Sequence, residues 1–189
     1  MECITRFNVS STLTNIPIDE LTIINTFYLG SGLKSEVVLS VDINTSANEV
    51  YRFNFPNLNQ KARNIQSLTS MELNELKPDI LMMSPPCQPF TRVGLKLDVN
   101  DPRCSSFLHL VDILPQLKTI NHILMENVVG FKNSEMRDIF VKALKQNGFH
   151  YREFLLSPEI LNIPNSRTRY FLLARKQEFS FGSEDVIVS

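Results

Sequence analysis

Short, nearly continuous apolar runs alternate along the chain with segments in which apolar residues recur at helical spacing. The runs predict strands at 36–41, 62–65, 79–83, 122–125, 149–156 and 170–174. The helical spacing predicts helices at 46–54, 69–76, 106–114 and 134–148. Thr69 and Glu72 have the capping-box pattern, and Ser134 and Gly148 are suited to begin and end the last helix.

This alternation predicts an α/β fold in which a mainly parallel sheet is covered by helices on both faces. In such sheets, ligands bind at the carboxyl ends of the strands. Residues suited to catalysis or ligand binding follow three of the predicted strands, at Asp42, at 84–88 and at Glu126. We therefore expect these residues to share one edge of the sheet and to form the functional site.

The composition is that of an ordinary globular domain. Of the 189 residues, 43% are hydrophobic and 21% are charged, and the formal net charge is −1. A charge so near zero argues against a broad basic surface for nucleic acid, so a nucleic-acid substrate has to be inferred from the site itself. No apolar run approaches the roughly 18 residues of a membrane span, and residues 1–10 lack the apolar core of a signal peptide.

The cysteines and histidines favour a reducing compartment without a metal site. Cys3, Cys87 and Cys104 are an odd number without paired spacing, so a disulfide framework is not expected. The three histidines are scattered and form no Cys/His cluster at metal-ligand spacing. Because no targeting segment is recognised, a cytoplasmic or nuclear location is expected.

Three short strings carry the candidate chemistry. Cys87 lies in SPPCQPFTR (84–92), where two prolines stiffen the backbone after a predicted strand. Taken alone, a cysteine is usually a small buried hydrophobe, and this string is what favours a nucleophile. Glu126 either extends beyond the sheet edge or faces a site. Arg167 and Arg169 point to the same side if the segment is extended, and are otherwise a solvated strand start.

These strings, with ENV at 126–128 and RTR at 167–169, resemble the cytosine-5 methyltransferase family in order and spacing. The resemblance runs from about residue 36 to residue 176. The strings SFL (106–108), ILP (113–115), IPNSR (163–167) and YFL (170–172) are similar to the branch that methylates cytosine 38 of aspartate tRNA. The resemblance implies a Rossmann-like methyltransferase sheet, S-adenosylmethionine as cofactor and tRNA as substrate, with DNA as the alternative.

The resemblance also implies a role for each candidate residue. Cys87 would add as a thiolate to carbon 6 of cytosine and make carbon 5 nucleophilic. Glu126 would hold or protonate ring nitrogen 3, and Arg169, with Arg167 beside it, would contact the base carbonyl. The implied cofactor-binding residues are Asp42 on the ribose, Ile43 against the adenine, Asn64, Ile65 and Gln66 near the adenine, and Ser84 and Pro85 lining the pocket.

The chain departs from the family's pattern at both ends. Residues 1–29 lack the glycine-rich loop that would cradle the cofactor, although a strand could lie within 15–26. The family's target-recognition region does not follow Arg169. The expected organisation is an atypical segment at 1–29, a partial catalytic domain at 30–178 and a tail without predicted elements at 179–189. A working methyltransferase, an inactive truncated isoform and an RNA-binding fragment are the alternatives.

Overall fold

The computed structural model describes residues 2–6, 36–86, 101–184 and 186–188. Within these ranges the strands are β1 (Glu2–Arg6), β2 (Glu36–Asp42), β3 (Gln60–Ala62), β4 (Ile80–Met83), β5 (His122–Val128), β6 (His150–Leu156), β7 (Arg169–Arg175) and β8 (Ile187–Val188). The α-helices are α1 (Thr45–Asn54), α2 (Ser70–Leu76), α3 (Ser105–Ile113) and α4 (Glu135–Gln146). No helix in the described ranges is long and apolar enough to cross a membrane.

The strands form one sheet in the order β3-β2-β1-β4-β5-β7-β6-β8. The pairs β2–β3, β4–β5 and β6–β8 are parallel, whereas β1–β2, β1–β4, β5–β7 and β6–β7 are antiparallel. The predicted α/β class is confirmed, but the sheet is mixed rather than mainly parallel. Part of the reason is that segment 157–168 joins β6 to β7 without an α-helix, so the chain reverses there and no crossover forms.

The sequence does not predict β1. The strand considered within 15–26 lies outside the described residues, and the structure instead puts Glu2–Arg6 between β2 and β4. This strand is antiparallel to both neighbours, with Glu2 opposite Val41 and Met83. Five residues with charged residues at both ends carry little strand signal, so pairing with two neighbouring strands accounts for β1 better than local propensity does.

The predicted helix ends are confirmed. The Thr69 side chain accepts a hydrogen bond from the Glu72 amide at 3.2 Å and begins α2. The Ser134 side chain accepts one from the Arg137 amide at 3.0 Å and begins α4. Gly148 follows α4 with a φ of 69°, the left-handed conformation that glycine adopts without steric cost.

Three expectations about the strands are wrong. The strand predicted at 122–125 is β5, which continues to Val128 and so contains Glu126. The short strand expected at 62–65 is β3 at Gln60–Ala62, because the Asn64 side chain accepts a hydrogen bond from the Gln66 amide at 2.9 Å and turns the chain. The tail, for which no element is predicted, contributes β8, which pairs with Glu153 and Phe154 of β6. Backbone pairing with β6 stabilises β8, although the local sequence of β8 gives little indication of a strand.

The larger hydrophobic core lies on one face of the sheet, where alternate side chains of the strands pack against α2, α3 and α4. Its buried members include Leu39, Leu81, Met125, Leu172, Leu73, Phe107 and Phe140. On the other face, Val37 and Met82 form a smaller cluster with Leu58. Leu58 also packs beside Tyr51 and Phe55 at the end of α1. Helices therefore cover both faces, as predicted.

A buried ion pair fastens α4 to the sheet. Arg137 Nε donates to Glu153 Oε1 at 2.8 Å, and a second N–H of the same guanidinium bonds Glu153 Oε2. The Tyr170 hydroxyl of β7 donates to the same carboxylate, whose side chain is 1% exposed. The Glu153 hydrogen bond raises the pKa of Arg137, and burial raises the pKa of Tyr170, so both keep their protons at neutral pH. The network joins α4, β6 and β7.

Replacing Arg137 by Met should destabilise the fold by about 3–5 kcal/mol, because it leaves the Glu153 carboxylate buried without its cation. Urea denaturation followed by circular dichroism measures the change. The control is Asp138→Asn, which removes only the exposed partner of the same guanidinium and should alter the stability by less than about 1 kcal/mol. Equal losses in the two variants would contradict this interpretation.

Candidate functional site

A pocket of about 120 Å³ lies at the carboxyl end of β2. It is lined by Val41, Asp42, Ile43, Arg63, Asn64, Ile65, Pro86 and Ser106. The fold thus brings together four of the residues predicted to bind a cofactor, which come from the end of β2 and from the turn after β3. The position is the one expected for a ligand at the carboxyl edge of this type of sheet.

Asp42 and Ile43 lie where β2 passes into α1. Asp42 Oδ1 accepts a hydrogen bond from the Asn44 amide at 2.7 Å, and the Asp42 carbonyl accepts one from Asn48 Nδ2 at 3.0 Å. These bonds turn the chain and hold the carboxylate at the strand end. The Ile43 side chain is 69% exposed, although isoleucine is usually buried. An apolar surface therefore lies beside a carboxylate.

The turn at 63–66 forms the opposite wall. Asn64 Oδ1 accepts hydrogen bonds from the Gln66 amide at 2.9 Å and from Ser106 Oγ at 3.3 Å. The turn is therefore tied to the first turn of α3. The Gln66 side chain bonds the Asn64 amide group at 3.0 Å and does not line the pocket.

The other four pocket residues, Val41, Arg63, Pro86 and Ser106, have no cofactor-binding role in the sequence prediction. The Arg63 guanidinium lies 2.7 Å from a Glu72 carboxylate oxygen, so its charge is compensated locally. The sequence does point to Ser106, because this residue begins one of the strings that resemble the tRNA-methylating branch. Pro86 belongs to the string that contains Cys87, whereas Arg63 reaches the pocket through the turn after β3, which no residue pattern indicates.

A carboxylate and a guanidinium meet where β5 ends and β7 begins. Glu126 Oε1 lies 3.2 Å from Arg169 Nε, and Glu126 Oε2 accepts a hydrogen bond from Ser84 Oγ at 2.7 Å. The Glu126 and Arg169 side chains are each 23% exposed, so a ligand can reach the pair although it is partly desolvated. The antiparallel register, which pairs Val128 with Arg169, brings the two charges together.

Asn127 fastens the segment that precedes Cys87 to β5. Its Nδ2 donates to the Pro85 carbonyl at 3.2 Å, and its Oδ1 accepts from the Val128 amide at 2.8 Å. The next residue, Pro86, lines the pocket. Segment 84–86 therefore connects the Glu126–Arg169 pair with the pocket, and the two form one candidate site.

The remaining predicted residues lie elsewhere or have other contacts. Cys87 lies outside the described residues. Arg167 is exposed in segment 157–168, and no ion pair joins it to another described side chain. Ser84 and Pro85 contact Glu126 and Asn127 rather than the pocket. The catalytic and cofactor-binding roles given to these residues, and to those that line the pocket, stay predictions.

Asp101 precedes the short turn that leads into α3. It is buried, and its Oδ1 accepts hydrogen bonds from the Arg103 amide at 3.0 Å and from Arg103 Nε at 2.8 Å. The hydrogen bonds from Arg103 lower the pKa of Asp101 to about 2. Because α3 begins two residues after Arg103, this ion pair fixes how the chain enters the helix that supplies Ser106.

The Asp101–Arg103 interaction should stabilise the fold above about pH 4 and be lost as the pH falls through about 2. The sign follows because the pKa of Asp101 in the folded state lies below the usual aspartate pKa of 3.8. In Arg103→Gln the carboxyl should titrate nearer to 3.8, as measured by carbon-detected NMR of the Asp101 side chain. An unchanged titration midpoint in Arg103→Gln would show that Arg103 does not cause the shift.

Comparison with known proteins gives a consistent set of relatives. The profile of the family described as C-5 cytosine-specific DNA methylase matches residues 24–186. The tRNA (cytosine(38)-C(5))-methyltransferase of Bos taurus is 51% identical over 152 residues, which cover 80% of this chain and 39% of that protein. The protein of the same name from Homo sapiens is 50% identical over 148 residues, covering 78% and 38%. The chain thus spans less than half the length of these relatives.

Among solved structures, the crystal structure of a Spodoptera frugiperda DNMT2 mutant superposes with a TM-score of 0.77. The sequence identity is 49%, and the match covers 87% of this chain and 50% of that one. The similarity in sequence is therefore accompanied by a similarity in fold over most of the chain.

Proposed function

Because the chain belongs to the C-5 cytosine-specific DNA methylase family, we propose that it transfers a methyl group from S-adenosylmethionine to carbon 5 of a cytosine in tRNA. The observation that carries the proposal is the Glu126–Arg169 pair, held beside the segment that leads to Cys87. The names of relatives about 50% identical to this chain favour tRNA over DNA. A tRNA substrate is compatible with a cytoplasmic or nuclear location.

The residues of the pocket fit the adenosyl part of this cofactor. Asp42 places a carboxylate, which accepts hydrogen bonds from ribose hydroxyls, at the end of β2. Ile43 offers an exposed apolar side chain for a flat ring, and Arg63 brings no uncompensated charge because Glu72 pairs with it. When bound, S-adenosylmethionine supplies an electrophilic methyl group on a positively charged sulfur.

Cys87 is the proposed nucleophile, on the evidence of its sequence string. Its thiolate adds to carbon 6 of the cytosine, and the electrons of the ring double bond move to carbon 5. Carbon 5 would then take the methyl group as the sulfur–methyl bond breaks and its electrons stay on the sulfur. Loss of the carbon-5 proton to water and departure of the thiolate would restore the ring and free Cys87.

Glu126 and Arg169 would stabilise the charge that develops on the ring. The Glu126 carboxyl group would hold ring nitrogen 3 or, in its protonated form, supply a proton there as the thiolate adds. Arg169 donates one N–H to the Thr168 carbonyl at 3.0 Å and directs Nε to Glu126. Its remaining N–H groups are the donors proposed for the base carbonyl oxygen, where negative charge builds up.

Segment 157–168 is the proposed approach for RNA, because it leads directly into Arg169. All of its residues from Glu159 to Thr168 are exposed. It combines the cation Arg167 with the large apolar side chains of Ile160, Leu161 and Ile163, each at least half exposed. A cytosine must leave its stack to reach the site, and cations with apolar side chains are the groups that bind unstacked strands.

Asp42→Ala should weaken binding of S-adenosylmethionine by about 10- to 100-fold, the range expected for a hydrogen bond to a charged group. Isothermal titration calorimetry on the whole chain measures the dissociation constant. Asp112→Ala, which removes an exposed carboxylate on α3 outside the pocket lining, is the matched control and should bind like the wild type. Equal affinities for the wild type and Asp42→Ala would contradict the ribose contact.

Cys87→Ala should reduce methylation of a tRNA anticodon stem-loop to below about one thousandth of the wild-type rate, because the covalent route is lost. Transfer of a radiolabelled methyl group measures the rate. A stem-loop containing 5-fluorocytosine should form a denaturant-resistant complex with the wild type only, because carbon 5 then has no proton to lose.

The matched control is Cys104→Ala, which removes a buried thiol of the core and should retain methylation with a modest loss of stability. Methylation that persists in Cys87→Ala would exclude Cys87 as the nucleophile. A wild-type chain that binds the stem-loop but neither methylates nor traps it would favour the alternative of an RNA-binding fragment.

A further inference from the structure

Ser84 lies beside Glu126 because of the strand register. In the parallel pairing of β4 with β5, Met83 lies opposite Met125. The residues that follow them, Ser84 and Glu126, are therefore also neighbours. Ser84 Oγ donates to Glu126 Oε2 at 2.7 Å, while Arg169 Nε lies 3.2 Å from Oε1. One oxygen of the Glu126 carboxylate therefore accepts a hydrogen bond from Ser84, and the other forms an ion pair with Arg169, so its two partners come from different segments.

The same two segments exchange a second hydrogen bond in the opposite direction. Asn127 Nδ2 donates to the Pro85 carbonyl at 3.2 Å, so residues 84 and 85 are each bonded to their neighbour on β5. The terminal torsion of a glutamate side chain is broad, and one donor leaves the carboxylate plane poorly fixed. The Ser84 hydrogen bond on one oxygen, with the Arg169 ion pair on the other, fixes that plane relative to the backbone that leads to Cys87.

We propose that Ser84 is a positioning residue that orients Glu126 toward the cytosine, rather than the cofactor-binding residue that family resemblance implies. The inference rests on the proposed function. A carboxyl group that is oriented before the base enters needs no reorganisation during the reaction, and such preorganisation lowers the barrier. Loss of the Ser84 hydroxyl should therefore slow the chemical step and leave the affinity for the methyl donor intact.

The test compares Ser84→Ala and Ser84→Thr in the whole chain. Ser84→Ala should lower kcat by about 10- to 100-fold, as expected for one hydrogen bond to a charged group. The KM for S-adenosylmethionine and its calorimetric dissociation constant should not change. Ser84→Thr, which keeps the hydroxyl, should recover most of the lost rate.

Ser70→Ala is the matched control, because it removes a serine hydroxyl that donates to Gln116 Oε1 at 2.6 Å outside the site. It should leave both kcat and KM unchanged. Weaker binding of S-adenosylmethionine by Ser84→Ala with an unchanged kcat would overturn the proposal and favour the cofactor-binding role for Ser84. An unchanged kcat with unchanged binding would also overturn it.

A thermal unfolding cycle tests the bond without relying on methylation. Ser84→Ala should lower the Tm by about 2–4 °C in the wild-type background and by much less in Glu126→Ala, where the acceptor is already absent. Equal shifts in both backgrounds would show that the hydroxyl does not brace Glu126. If the wild type fails to methylate RNA, the proposed function fails, and this cycle still decides whether Ser84 and Glu126 are coupled.

Discussion

The register between β4 and β5 is the constraint on which the candidate site depends. Met83 pairs with Met125, and both side chains are buried in the larger core. A shift of one residue would move Ser84 and Glu126 to opposite faces of the sheet and break both bonds between their segments. Burial of Met83 and Met125 therefore sets the register that brings the polar residues Ser84 and Glu126 together.

The strand β7 adds a second constraint of the same kind. Tyr170 is buried on the core face, where its hydroxyl bonds the Glu153 carboxylate that also holds Arg137. Successive side chains of a strand point to opposite faces, so fixing Tyr170 on the core face directs Arg169 to the other face. Glu126 lies on that face as well. A buried ion pair on one face of the sheet thus helps to position an accessible ion pair on the other.

The sequence identified three of the charged groups at the site, but it identified neither Arg63 nor the hydrogen-bond partners of the three. Asp42, Glu126 and Arg169 could be found because each belongs to a short string or follows an apolar run. The partner of Ser84 could not be found, because its contact with Glu126 depends on the pairing of strands 42 residues apart in the chain. The order of the elements could be predicted, because apolar periodicity is a property of the local sequence. The directions of the strands could not, because they depend on how distant segments pair.

The strands β1 and β8 illustrate the same limit. Neither contains a run of apolar residues long enough to predict a strand, and each is added to the sheet by backbone hydrogen bonds to strands distant in sequence. Local propensity is a weak guide where the neighbouring strands decide the outcome. Asn64 shows the converse, because a single side-chain hydrogen bond ends a predicted strand early and creates one wall of the pocket.

The direction of β1 has a practical consequence for handling the protein. Glu2 pairs with Val41 and Met83, the residues immediately before Asp42 and Ser84, whereas Arg6 pairs with Glu36 at the opposite edge. Polypeptide fused ahead of Glu2 therefore enters the sheet at the edge that carries the pocket. An affinity tag at the amino terminus would crowd the approach to the pocket, whereas one placed after β8, which runs parallel to β6, would leave from the same edge at the other end of the strand order.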